Sequence, residues 1–312
     1  MAIDPADEGA SVDALGHAHP DAAEYASLAA NLRDRVSGDV QFDEYAQVLY
    51  ATDGSIYQAR PAGVVFPTDV ADVQAAVETA REHDVPVMPR GTGSSLAGQA
   101  VGPGCVVLDM TRHMDDVLEV DPEAQEATIR PGVVQDHLDA QLAEYGLKFA
   151  PDPASSNRAT VGGGIGNNST GAHSVRYGIT DAYTEEVKAV LADGSVLHAR
   201  EVVLDSDEYE EIVAKDDREA HIYETVRSLV EAHEDEIEAR YPDLKRRVTG
   251  YNLDRVIYEN DDGEEVINLA KLFVGSEGTL GVIVEATISL VTVPEETALA
   301  LYCFETLDAA LR

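Results

Sequence analysis

The sequence predicts an α+β fold, and three observations predict it. From Pro61 the chain runs strand, helix, strand and then a glycine-rich turn, the order of an α/β phosphate site. Hairpin signals follow in the second half, the strongest at Asp193-Gly194. Three glycine clusters punctuate the whole, Arg90 to Gln99, Ala159 to His173 and Gly275 to Gly281. Consecutive backbone N–H groups in such runs can form an anion-binding concavity, and missing Cβ atoms let a ligand approach closely. Asn167, Asn168, Ser169 and Thr170 add side-chain donors to the central run. A backbone cradle for a phosphorylated cofactor is one reading of it, and a flexible loop is the other.

The elements follow in order. Residues 1 to about 20 are acidic and punctuated by Gly and Pro, which predicts disorder. Tyr25, Leu28, Ala29, Leu32 and Val36 recur at helical spacing, so Ala22 to Val36 is expected to be a helix. Gln41 to Tyr50 gives a mixed signal, and Asp53-Gly54-Ser55 reads as a turn. Gly63 to Phe66 is a short apolar strand. Thr68 is the expected N-cap of a helix marked by Val70, Val73, Ala76, Val77 and Ala80, ending near His83. Val85 to Met88 is the next strand, closed by Pro89, and Arg90 opens the first glycine run. Cys105 to Met110 is another strand, and Val117 to Val120 pairs with Gln125 to Ile129 around Asp121-Pro122-Glu123. Val134, Leu138, Gln141, Leu142 and Tyr145 line a helix ended by Gly146. Val187 to Leu191 and Val196 to His198 flank the Asp193-Gly194 turn. Asp205 to Arg240 is acidic and mostly helical, with Ile222, Val226, Leu229 and Val230 as its apolar face. Val266 to Leu272 leads into the third cluster, and Gly281 to Val293 alternates as a strand.

Composition excludes several classes of function. The 312 residues carry 59 acidic and 22 basic side chains, a formal charge of -37. That opposes nucleic-acid binding and docking on anionic lipid, both of which need a basic footprint. Few of the cations are Lys, and hydrophobic residues still make up 44%. An acidic, Lys-poor surface on an ordinary core reads as adaptation to high salt. Cys105 and Cys303 form no metal-spaced pair and read as two buried small apolar residues. The N-terminus lacks a signal peptide's basic and apolar parts, and no apolar run is long enough to span a membrane. His137 and His198 read as surface residues, and His173 as a loop histidine satisfied by water.

The first run is spaced Gly-x-Gly-x-x-x-x-Gly, two residues away from the dinucleotide fingerprint, and no P-loop is present. Taken together, five motifs in order resemble the PCMH-type FAD-binding domain of the vanillyl-alcohol-oxidase and p-cresol-methylhydroxylase flavoproteins. They are Pro89-Arg90-Gly91-Thr92-Gly93-Ser94-Ser95-Leu96-Ala97-Gly98, the run Gly162 to Gly171, Arg176-Tyr177-Gly178, Thr249-Gly250-Tyr251-Asn252-Leu253 and Gly275 to Gly281. Within that superfamily the chain is most similar to D-lactate, glycolate and D-2-hydroxyglutarate dehydrogenases. The acidic insert and Tyr251-Asn252-Leu253-Asp254 resemble the large members that carry a C-terminal iron–sulfur domain.

The resemblance implies an FAD-binding domain over 41–293, built of two α/β subdomains at about 61–110 and 117–293 with the cofactor between them. An acidic, partly helical extension over 1–40 would precede it, and 294–312 would begin a truncated substrate or cap domain. Gly91, Thr92, Gly93, Ser94 and Ser95 would wrap the FAD pyrophosphate with backbone N–H groups, and Arg90 would join the cofactor contacts. Thr160, Gly163, Asn167, Asn168 and Gly171 would complete the pyrophosphate and ribityl contacts, with Pro153 and Ile283 along the cofactor. Ser94 stands where some relatives attach FAD to a His, so the flavin should be non-covalent. Gly163 should resist substitution more than Gly194. The implied activity is FAD-dependent oxidation of a small 2-hydroxy acid to the 2-oxo acid, with electrons passing to a quinone, a cytochrome or an iron–sulfur protein or domain. The implied place is the cytoplasm, or the membrane periphery through that partner. Catalytic residues would lie in the absent cap, and no metal site is read here. An FAD-binding module inactive alone, or another flavoenzyme of the fold such as an alcohol oxidase, is the alternative.

Overall fold

Apolar strands that alternate with amphipathic helices bury themselves by layering helices on a parallel sheet. The computed structural model does this first. It describes residues 25–242, 244, 246–248, 250–298 and 300–311, with Ser11–Val12 and Ala18–His19 ahead of them. A four-stranded sheet runs in the order Asp39–Gln41, Gly63–Phe66, Val106–Asp109, Val87–Arg90, and its last three strands are parallel. Every residue of Gly63–Phe66 and Val106–Asp109 is buried, because helices cover both faces. Helices Ala26–Arg35 and Val70–Glu82 bring Leu28, Leu32, Val73, Ala76 and Ala80 onto one face. Helix Glu44–Leu49 brings Ala46 to the other, against Val64, Phe66 and Val107.

The second layer is a five-stranded antiparallel sheet in the order Val196–Ala199, Thr184–Val190, Val282–Ser289, Glu126–Ile129, Val117–Asp121. Val282, Val284, Ala286 and Ile288 are buried while their neighbours are half-buried, the period-two pattern expected of this strand. Val190, Val282 and Val284 belong to the core of the first layer, so the two sheets share apolar contacts. A small sheet of Glu201–Val203, Glu265–Asn268 and Ile257–Glu259 lies beyond.

Several expectations shift. Disorder over residues 1 to 20 falls mostly outside the described residues, and Ser11–Val12 pairs antiparallel with Ala18–His19. The N-cap of Val70–Glu82 is Asp69, which accepts from the Asp72 N–H at 2.9 Å; Thr68 instead donates its hydroxyl to Asp72. Pro89 and Arg90 extend the strand Val87–Arg90 rather than closing it. This strand is a sheet edge, where proline's missing N–H removes no ladder bond. The acidic stretch folds as three helices, Asp207–Val213, Arg218–Ala232 and Glu234–Arg240. In the long one the deep contacts are Ala220 and Tyr223, while Leu229 stays exposed. Cys105 is buried as expected, but Cys303 is exposed.

Candidate functional site

The central glycine run is a helix, Val161–Asn167, rather than a loop. Glycine lowers helix stability by about 1 kcal/mol per residue relative to Ala, so packing must hold it. Val161 and Ile165 are buried, and a Cβ at Gly162 would strike the backbone of Pro131. Thr160 caps the helix, its hydroxyl accepting from Gly163 N–H at 3.2 Å. The Val161 and Gly162 N–H groups donate to Val133 O (2.8 Å) and Pro131 O (2.9 Å). The first turn of this helix therefore has its N–H groups engaged.

The three runs are stitched together. A side chain at Gly91 would collide with the Thr160 hydroxyl, so only glycine lets the first run cross the cap of the second. Gly275 N–H donates to Ile165 O at 3.0 Å and Glu277 N–H to Gly166 O at 2.8 Å, which joins the third run to the helix C-terminus. Gln99 Nε2 donates to Glu277 Oε1 at 3.1 Å and closes the ring between first and third.

A cavity of about 370 Å³ lies inside this ring. Of the residues expected to hold a cofactor, it is lined by Arg90, Gly91, Thr92, Gly93, Ser94, Ser95, Pro153, Thr160, Gly163, Asn167, Asn168 and Ile283. Gly171 is the exception: it packs over the Asp152 backbone, where a Cβ would overlap Asp152 O, and its N–H donates to Ser174 Oγ at 2.9 Å. Gln99, Pro131, Ser155, Val248 and Glu277 also line the cavity and were not among the expected residues, and Thr170, read above as a donor of the central run, lines it too. Glu277 lay within a motif and Val248 directly precedes one, but Pro131 comes from a segment outside the motifs.

The free donors come from the first run. Thr92, Gly93, Ser94 and Ser95 N–H donate to no acceptor among the described residues. The Thr92 hydroxyl does not add to them, since it donates to Arg158 O at 2.7 Å. Asn168 adds a buried donor: its Oδ1 accepts from Asp181 N–H at 3.1 Å, while Nδ2 has no partner among the described residues. It holds the left-handed conformation (φ 52°) that ends the glycine helix.

Arg90 lines the cavity, but its side chain is engaged elsewhere. Its guanidinium is buried and donates to Ala100 O (2.6 Å), Thr52 O (2.7 Å) and Tyr50 O (3.3 Å). Burial pushes it down from its ordinary pKa, opposed by Tyr50, Asp109 and Asp53. It fixes the loops around the first run, and Gly93, at φ +71°, has no room for a Cβ beside it. Burial and Asp109 push the Tyr50 hydroxyl up, and that hydroxyl donates to Asp109 Oδ2 at 2.5 Å. His173 is not satisfied by water alone, since Asp152 contacts its Nδ1. His198 pairs with Glu186 at 2.7 Å. Among the described residues no group of His, Cys, Asp and Glu is arranged to hold a metal ion.

The chain is similar to known proteins. A family model described as FAD binding domain matches residues 61–200. The D-2-hydroxyglutarate dehydrogenase of Pseudomonas putida is 36% identical over 88% of this chain and 27% of its own length. The glycolate oxidase subunit GlcD of Bacillus subtilis is 30% identical over 88% of this chain and 47% of its own length. The chain thus spans between about a quarter and a half of these curated relatives. A solved alkyldihydroxyacetonephosphate synthase is similar in fold, with a TM-score of 0.61 and 22% identity over 93% of this chain and 43% of its own.

Proposed function

We propose that this chain, whose residues 61–200 match a family model described as FAD binding domain, holds FAD non-covalently between its two sheets, as the flavin-carrying part of an enzyme that oxidises a 2-hydroxy acid to the 2-oxo acid. One observation carries the reading: three glycine runs line one cavity where the N–H groups of Thr92 to Ser95 are unengaged among the described residues. Four successive N–H groups beside a cavity suit a pyrophosphate. Bound FAD would supply the hydride acceptor. The chain's own residues would bind and orient it. Thr92 to Ser95 would hold the phosphates, Asn168 Nδ2 would donate from the far wall, and Pro153 and Ile283 would exclude water along the rings. Ser94 offers no imidazole for a covalent link.

Similarity to D-2-hydroxyglutarate dehydrogenase and a glycolate oxidase subunit supports an acid of the D-lactate, glycolate or D-2-hydroxyglutarate type. Electrons would leave to a quinone, a cytochrome or an iron–sulfur partner. The FAD-binding domain would occupy 41–293, with 294–312 leading into a substrate domain. No helix among the described residues is long and apolar enough to cross a membrane. The chain would work in the cytoplasm, reaching the membrane only through its partner.

Purified protein should bind added FAD and turn yellow, and acid precipitation should release the flavin into the supernatant. Flavin retained in the pellet would contradict the non-covalent claim, and a colourless protein indifferent to FAD would contradict the reading altogether. Anaerobic bleaching by D-2-hydroxyglutarate, glycolate or D-lactate would support the oxidase reading. Bound flavin that none of them reduces would favour a module inactive alone.

A further inference from the structure

An anionic substrate approaching a chain of charge -37 meets net repulsion, so its site needs a local cation. Arg90 is committed to backbone carbonyls, and the neighbouring Arg247 is buried, with Nη2 on both Asp254 oxygens at 2.6 and 2.8 Å. Arg246 differs from both. It is exposed, and no carboxylate lies within ion-pair distance of it among the described residues. Its Nη2 donates to Thr170 Oγ1 at 2.8 Å. Thr170 lines the cavity, and so does Val248, two residues beyond Arg246.

The segment carrying Arg246 is anchored. The Arg247–Asp254 pair holds it on one side, and the Arg247 guanidinium lies 4.5 Å from the Tyr241 ring centroid. Tyr241 hydroxyl donates to Tyr251 O at 2.8 Å, and the Tyr251 hydroxyl meets Thr279 Oγ1 at 2.8 Å. Arg246 therefore stands at the cavity edge next to an anchored neighbour, Arg247. Because the Thr170 oxygen accepts from Arg246, its own proton is left to donate elsewhere. A guanidinium fork beside a hydroxyl donor matches a carboxylate.

We infer that Arg246 and Thr170 form the corner of the site that takes the carboxylate of the small 2-hydroxy acid. This rests on the flavoenzyme reading above. The test titrates the FAD-loaded chain with oxalate, which presents a carboxylate but has no C–H bond to oxidise. Binding is followed by flavin absorbance and calorimetry. The parent should bind oxalate, and Arg246→Met should raise its Kd about 10- to 100-fold, the range of one to two lost charge-assisted hydrogen bonds. Arg246→Lys should fall between, since it keeps the charge and loses the fork. The FAD Kd should stay within about twofold in each variant.

Three results overturn the inference while leaving the flavoenzyme reading standing. One is an unchanged oxalate Kd in Arg246→Met, and another is a flavin-loaded parent that ignores oxalate. The third is an Arg246→Met variant that loses FAD as much as oxalate, which would put the guanidinium on a cofactor phosphate. A parent that takes up no FAD sinks the flavoenzyme reading and this inference together.

Discussion

A Cβ built at Gly163 meets only the Thr160 hydroxyl, at 2.9 Å, and the backbone there is helical. Gly194 is held at φ +88°, with the Glu78 side chain 2.6 Å from where a Cβ would stand. The expectation that Gly194 tolerates change better is thus reversed for stability. Gly163→Val should cost about 1 kcal/mol, the worth of one cap, because its Cβ would displace the Thr160 hydroxyl that caps the helix. It should also weaken FAD binding, since its methyls would enter the cavity that Gly163 lines. Gly194→Val should cost about 1–2 kcal/mol through left-handed strain and leave FAD affinity alone. Thermal melts and FAD titrations of both variants separate the two effects. Equal FAD affinity in Gly163→Val and the parent would sink the assignment of the central run to the cofactor.

Helix Val70–Glu82 is the element that carries the chain from one parallel strand towards the next, and Asp72 fastens its start. One carboxylate oxygen accepts from Ser37 N–H at 2.7 Å, and the other from Gly38 N–H, Thr68 N–H and the Thr68 hydroxyl at 3.1, 2.9 and 2.7 Å. Burial alone would push its pKa up, but these donors outweigh burial and hold it below the ordinary carboxylate value. A depressed carboxylate stabilises the fold above the unfolded-state pKa and stops doing so as pH falls through the folded one. Asp72→Asn should therefore destabilise the protein by about 1–3 kcal/mol near neutrality. The gap in melting temperature between parent and variant should narrow below about pH 4. A gap that stays constant, or widens on acidification, would mean that these hydrogen bonds contribute no charge-dependent stability.

Taken over its full surface, the protein carries 59 acidic groups against 22 basic ones, and local pairing cannot neutralise them. At 0.01 M salt the Debye length is about 30 Å, long enough for most of these charges to repel one another, and it shrinks to about 3 Å at 1 M. The melting temperature should fall on transfer from molar KCl to dilute buffer. Because FAD binds only the folded state, saturating FAD should restore part of the loss by mass action. Scans at low and high KCl, with and without FAD, measure both terms. A melting temperature indifferent to KCl would end the high-salt reading.

The order of strands and helices was legible in the sequence because period-two and period-3.6 patterns are local: Gly63–Phe66 and the alternation of Val282–Ser289 match their expected positions. So were the three glycine runs as the walls of one site, since Gly91 and Gly93 are glycines for reasons that leave a mark in composition. Boundaries shifted where two neighbours compete for one role, as Thr68 and Asp69 do for the helix cap. What needed three dimensions is what depends on partners distant in the chain. The central run is helical because Pro131, Val133 and Gly275 receive it. Its N–H groups are engaged for the same reason, which leaves the anion-ready donors on the first run. The Arg90 guanidinium braces the loops because the carbonyls of Tyr50, Thr52 and Ala100 surround it. Arg246 reaches the cavity through Thr170, a contact across 76 residues. No periodicity encodes such meetings, because they are fixed by packing rather than by spacing.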